Sequence, residues 1–526
     1  MHTILPFLLA MVVAIVLLQM SATKLKIAYP ILLVVAGLVL GFVPGLPAVK
    51  VNPDLIFFIF LPPLLFEAAW SISFKEMRKW WRIITSFAFL VVLFTALSVA
   101  VVTNYVIPGF TMALGFLLGG IVSPPDAVST GAITKFVKIS KATRTILEGE
   151  SLLNDASSLI IFRFALIAVG TGQFIWQQAS LTFLWMVIGG GGIGLILAWI
   201  FVKAHKWLPT DAPSDIALTI IEPYCMYWIA EQLQCSGVLA VVCGGLFMST
   251  RRLVFLNSTS RIRGYSVWES FIFILNGIVF LIIGLQLPEI VAGVRAKGVP
   301  LSTAIGYGVL VTVVVILARI ISSYVALIAT LIFRPSVAPR ATSLKGRLLT
   351  PLILGWTGMR GVVSLAAALA IPLTINGADF PRRDLILFIT FVVILLTLLV
   401  QGLTLPIIIK HSSLLSAFMP LEKEEDMKLR MKQGLRHHIY QFLKTKQADG
   451  LQDHAGMQKL LDHWEEKSKA DNEDWMNETT RTIFLAMLES QREFLVELNK
   501  DPAFDEEIIR HQLYQIDLEE ERVKGL

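Results

Sequence analysis

The sequence predicts an all-α polytopic membrane protein. About thirteen transmembrane helices are expected, as two inverted six-helix repeats with crossed broken helices, followed by a cytoplasmic helical tail. Three observations carry that expectation. Of 526 residues, 55% are hydrophobic and only 16% charged, where a soluble protein carries about a quarter. Apolar runs approaching or exceeding the roughly 20 residues that cross a bilayer recur up to about residue 410. Short basic loops separate those runs, as they do on the inner side of membrane proteins.

In chain order the apolar runs fall at about 2–19, 27–43, 54–70, 83–107, 112–134, 146–169, 181–202, 214–232, 236–249, 268–287, 301–333, 348–374 and 385–409. The first lacks a positive leader and is followed by Lys24 and Lys26, so it reads as a retained span and not a cleaved signal. With the N-terminus outside, the inner loops hold 20 basic residues and the outer loops 5. That split supports both the count and the orientation. The net charge of +6 therefore reflects membrane topology, and no nucleic-acid partner is expected. Cys225, Cys235 and Cys243 have neither zinc nor disulfide spacing.

Two spans are interrupted. The fifth contains Ser123-Pro124-Pro125-Asp126, and consecutive prolines remove backbone donors and break a helix. The twelfth contains Gly355-Trp356-Thr357-Gly358-Met359-Arg360-Gly361. If the seventh span links the halves 1–6 and 8–13, each interruption is the fifth of six, in halves of opposite orientation. Paired interrupted helices of that kind point to a substrate site. Asp126 suits the positive N-terminal ends that a break creates, and Arg360 the negative C-terminal ends.

The sixth span opens with Gly149-Glu150-Ser151-Leu152-Leu153-Asn154-Asp155. At helical spacing Glu150 and Asn154 share one face, and Ser151 and Asp155 the next. Carboxylates at membrane depth are costly and usually functional. Arg319 in the eleventh span is the mate expected for Glu150. Glu67, Arg163, Glu222, Glu231 and Glu269 have no partner that the sequence assigns. Residues 412–526 form a charged segment with helical spacing at Asp426–Lys444 and Thr480–Leu498. The expected domains are thus a transmembrane domain, 1–411, with breaks near 123–126 and 355–361, and a cytoplasmic regulatory tail, 412–526. Six of the eight histidines lie from His411 onward, where titration near neutral pH gives a regulatory option.

Gly149–Ala156, Phe60–Ala68, Asp126, Gly358–Gly361 and Ala318-Arg319 together resemble the motifs of the NhaP/NHE branch of the monovalent cation/proton antiporters, over roughly residues 1–410. Pro124-Pro125 ahead of Asp126 departs from the commoner pattern, in which the proline follows the aspartate or is absent. The resemblance implies a homodimer, a structural ion pair of Glu150 with Arg319, and electroneutral exchange, since Asn154 stands where electrogenic relatives have aspartate.

The expected activity is antiport of a monovalent cation, Na+ before Li+ or K+, against H+, in a plasma or bacterial inner membrane. Asp155 would hold Na+ or a proton, never both. Ser151, Asn154 and Asp126 complete the expected ion-binding set, with backbone carbonyls at the break. Oxygen ligands suit a hard cation. No cofactor is expected. The rivals are a cation channel gated by the tail and a proton-coupled organic anion symporter. An enzyme is disfavoured, because no nucleophile-base set or metal motif is visible.

Overall fold

The structure is a computed structural model. It describes residues 4–25, 27–43, 57–126, 131, 141–172, 176–333 and 344–411, and in the tail 434, 437–445, 462, 465, 478–498, 512, 515–520 and 522–523. The chain divides into two compact units, Met1–Met419 and Pro420–Leu526.

The first unit is a helical bundle. Its elements are α1 (Ile4–Leu25), α2 (Tyr29–Gly41), α3 (Leu61–Ser71), α4 (Phe74–Val106), α5 (Met112–Val122), α6 (Lys141–Thr171), α7 (Trp176–Trp207), α8 (Ala212–Gln232), α9 (Gly237–Phe255), α10 (Ser258–Leu285), α11 (Leu287–Ala296), α12 (Leu301–Phe333), α13 (Leu344–Trp356), α14 (Val362–Leu369), α15 (Arg383–Leu396) and α16 (Gly402–His411). A two-stranded hairpin, Thr374–Ile375 with Ala378–Asp379, joins α14 to α15. Among the described residues, six helical stretches are long and apolar enough to cross a membrane, and several shorter apolar helices accompany them. The protein is a multi-pass membrane protein.

The helices start where side chains can cap them. Asp211 accepts from the Ser214 amide at 3.0 Å, and Asn257 from the Ser260 amide at 2.7 Å. Ser236 caps α9 in the same way through Leu239. Such caps satisfy amides that have no partner within the helix. Two π turns interrupt long helices, Phe87–Val91 within α4 and Thr397–Gln401 between α15 and α16.

Small residues set the close crossings, as expected where backbones pack in a membrane. A Cβ on Gly194 of α7 would stand 2.1 Å from the Ala240 carbonyl of α9, and one on Gly190 would stand 2.6 Å from that of Ser236. Gly190 and Gly194 thus let α7 lie against α9.

The buried apolar residues form two main clusters. One joins α2, α5, α10, α12, α14 and α15; the other joins α3, α7, α8 and α9. Helix α6 contributes to both. Its Phe162 and Ala165 belong to the first, and Leu152 and Ala156 to the second. The helix bearing Asp155 therefore lies along the seam.

In the second unit, α17 (Glu478–Leu498) carries Arg492, which pairs with Asp517 at 2.8 Å and also with Glu520. The helix expected at Thr480–Leu498 is present there, and 437–445 is helical, overlapping the end of the stretch expected at Asp426–Lys444. His454, His463 and His511 lie outside the described residues.

Candidate ion-binding site

The site begins where two helices stop. Helix α5 ends at Val122, and Ser123–Asp126 is irregular, as two consecutive prolines require. Helix α13 ends at Trp356, and the chain resumes as α14 only at Val362. The two interruptions meet: the Asp126 amide donates to the Met359 carbonyl at 2.7 Å. The Asp126 carboxylate lies against Gly361, where a Cβ would come within 2.4 Å of Oδ2. Only glycine admits that approach. Asp126 thus stands at the N-terminal end of α14, where the helix dipole favours an anion.

Arg360 does the opposite at the other end. It is buried, and its Nε donates to the Val122 carbonyl at 2.5 Å, at the C-terminal end of α5. Its Nη1 donates to the Gly358 carbonyl. Its backbone amide donates to Thr397 Oγ1 at 3.1 Å, in the second π turn. A cation is stabilised by the last carbonyls of a helix. The irregular backbone is tolerated because protein groups satisfy it.

Helix α6 passes this crossing with four buried polar side chains in six residues: Glu150, Ser151, Asn154 and Asp155. Glu150 and Arg319 of α12 meet in a two-pronged ion pair, Nη1 to Oε1 at 2.6 Å and Nη2 to Oε2 at 2.8 Å. Glu150 is 0% exposed and Arg319 2%. This geometry leaves Glu150 committed to a partner. Ser151 donates to the Pro125 carbonyl at 3.2 Å, which ties α6 to the break. Ser157 donates to the carbonyl of Ala88 in the first π turn. The Asn154 side chain is wholly buried, and neither its Oδ1 nor its Nδ2 has a hydrogen-bond partner among the described residues. Asp155 is 7% exposed and lies within electrostatic range of Asp126. The structure therefore gathers Asp126, Ser151, Arg360 and the Glu150–Arg319 pair around the crossing, with Asn154 and Asp155 on the same stretch of α6.

Several charges left unassigned in the sequence have partners. Arg163 pairs with Glu231 at 2.5 Å, joining α6 to α8, and Glu231 also accepts from the Gly237 amide at 3.1 Å. The pair lines a cavity of about 650 Å3 with Leu159, Phe162, Met186 and Tyr227. Asp155, Leu159 and Arg163 recur at four-residue spacing, the one sequence signal that Arg163 shares a face with the site. Glu222 lies against His205. Glu67 is part-buried within range of Glu148, and Glu269 is exposed.

A buried acidic and amide set beside two interrupted helices, within an apolar helical bundle, defines an ion-transporting membrane protein. The sequence profile described as "Sodium/hydrogen exchanger, transmembrane" matches residues 8–411. The chain belongs to the sodium/hydrogen exchanger family. It is 29% identical over 530 residues to an uncharacterized Na+/H+ exchanger of Mycobacterium tuberculosis, covering 97% of this chain and 94% of the relative. It is 31% identical over 390 residues to the sodium, potassium, lithium and rubidium/H+ antiporter of Bacillus subtilis, covering 73% and 58%. Among solved structures it is similar to the sodium proton antiporter MjNhaP1 of Methanocaldococcus jannaschii, with a TM-score of 0.60 at 20% identity, covering 77% of this chain and 97% of that one.

Proposed function

We propose that this protein exchanges a monovalent cation, sodium first, for a proton, one for one, with Asp155 as the shared site. One observation carries the reading: Asp155 is buried in a span beside the meeting point of two interrupted helices, while the neighbouring Glu150 is held by Arg319. A buried carboxylate must be neutralised, and a proton or a cation each does so. Mutual exclusion couples the two fluxes. Asp126, Ser151 and Asn154 supply oxygen ligands, directly or through water, with carbonyls at the break. Sodium is supported by the family and potassium or lithium by the named Bacillus relative.

Alternating access is supported by the seam. Helix α6 contributes residues to two separate apolar clusters, and movement of one cluster against the other would expose Asp155 to each side in turn. The wider architecture belongs to the same reading: thirteen spans in two inverted repeats, a homodimer in lipid, the N-terminus outside, and the transmembrane domain 1–411 followed by a regulatory tail, 412–526, in the cytoplasm. The exposed apolar side chains of α7, such as Leu181, Trp185, Ile188 and Trp199, suit a lipid-facing surface.

Proteoliposomes loaded with a pH-sensitive dye test the assignment. Wild type should dequench the dye on addition of sodium, and folded Asp155→Asn should not. Wild-type exchange by that variant would sink it.

A further inference from the structure

Two carboxylates close on one imidazole at the end of α7. His205, Asp215 and Glu222 are all buried. His205 Nδ1 lies 2.8 Å from Asp215 Oδ1, and Nε2 lies 2.8 Å from Glu222 Oε1. Ser260 of α10 donates to Asp215 Oδ2 at 2.7 Å. Glu222 Oε2 is buried with no hydrogen-bond partner among the described residues.

The described neighbours are mostly uncharged, with Arg261 of α10, next to Ser260, donating to the Leu256 carbonyl. Helix α9 presents the Phe255 ring, centred 5.0 Å from the imidazole. Helix α10 presents Ser260 and, through Thr219, the Trp268 indole. On α8 itself Cys225 lies within range of Glu222. On α7, Lys203 lies over the rings of Trp199 and Trp207, and Lys206 is exposed. Among the described residues no three such side chains are placed to hold a metal ion.

Proton counting then decides the chemistry. A neutral imidazole has one N–H, and an ionised carboxylate only accepts. With a neutral ring and two ionised carboxylates, one ring nitrogen and one oxygen would face each other as acceptors at 2.8 Å. The geometry needs one further proton. Asp215 has donors in the ring and Ser260, whereas among the described residues Glu222 has the ring alone. A buried carboxylate with so few donors is costly when ionised. The extra proton belongs in the contact between His205 Nε2 and Glu222 Oε1.

We propose that His205, Asp215 and Glu222 form a second proton-binding site, apart from the transport site, which clasps α7, α8 and α10. The bound proton closes the clasp. Its release as pH rises sets two acceptors against each other and frees the end of α7. Helix α7 packs on α9, and α9 packs on α6, so freeing α7 eases movement of the Asp155 helix along the seam. The effect on exchange rests on the antiport reading; the proton site does not.

The test is thermal unfolding of the full-length protein in detergent, free of sodium and lithium, from about pH 5 to about pH 10. The clasp stabilises while its proton is bound, so the wild-type melting temperature should step down as pH rises through release. Glu222→Gln places an amide donor opposite Nε2 and makes the contact without the extra proton. It should fold and lose the step, and in vesicles its exchange should lose the matching limb of the pH profile. Asp155→Asn should keep the step while losing exchange. A folded Glu222→Gln protein with the wild-type step overturns the proposal, as does loss of the step in Asp155→Asn. If Glu222→Gln does not fold, His205→Gln decides by the same criterion, since it removes the ring that shares the proton. Wild type that melts with the step yet exchanges no cation would count against the antiport reading alone.

Discussion

Glu150 and Asp155 lie five residues apart in the same helix, yet their surroundings assign them different work. Glu150 accepts both prongs of the Arg319 guanidinium, and such an arrangement fixes geometry as well as charge. Removing one partner of a buried pair strands the other charge and costs about 3–5 kcal/mol, whereas removing both leaves nothing stranded. Glu150→Gln and Arg319→Gln should therefore each lower the melting temperature sharply. The double variant should recover part of the loss. A double-mutant cycle by thermal unfolding checks this, and strictly additive losses would rule the coupling out. Among the described residues Asp155 has no such arginine. On the function proposed above, the same burial that makes Glu150 structural leaves Asp155 to be neutralised by a cation or a proton.

At the scale of elements, the packing of α7 on α9 depends on absent side chains. The space for a Cβ at Gly194 is occupied by the Ala240 carbonyl, which is backbone and cannot rotate away. Gly194→Val should force the helices apart and lower the melting temperature by several degrees, with loss of assembled protein on size exclusion. Gly192, two residues earlier, meets nothing within 4 Å. Gly192→Ala should melt like wild type or slightly higher, because alanine favours helix over glycine by up to about 1 kcal/mol. Equal effects of the two substitutions would mean that helix propensity governs this stretch and that the crossing does not.

For the whole molecule the question is how many charges cross in one cycle. Glu150 is held by Arg319, Asn154 is neutral, and Asp126 stands at a helix N-terminus that favours its ionised form. On the exchange proposed above, Asp155 alone changes occupant, one cation one way and one proton back. Net charge movement would then be zero, whereas an uncompensated charge would feel about 2.3 kcal/mol per 100 mV. Sodium exchange in proteoliposomes should be indifferent to a clamped membrane voltage at fixed ion gradients. The same competition requires the half-saturating sodium concentration to climb as pH falls, by up to about tenfold per unit. A clear voltage response would bring Asp126 into the cycle as a second titrating group. Half-saturation independent of pH would mean that cation and proton do not share a site.

The sequence by itself determined the helices, the interruptions and the stock of buried charges. Those are local properties. Apolar length makes a span, Pro124-Pro125 stops α5, and the glycines around Arg360 separate α13 from α14. It also marked Glu150, Asp155 and Arg319 as charges at membrane depth, because hydropathy is read one residue at a time. Tertiary structure decided which charges meet. Arg163 with Glu231, and Glu222 with His205, stood unassigned in the sequence because spacing along the chain does not say which helices are neighbours. Which faces of two helices meet depends on rotation and tilt, and these follow from backbone approach at positions such as Gly190, Gly194 and Gly361. Small residues leave no mark in hydropathy, so the geometry they permit appears only when the helices are packed.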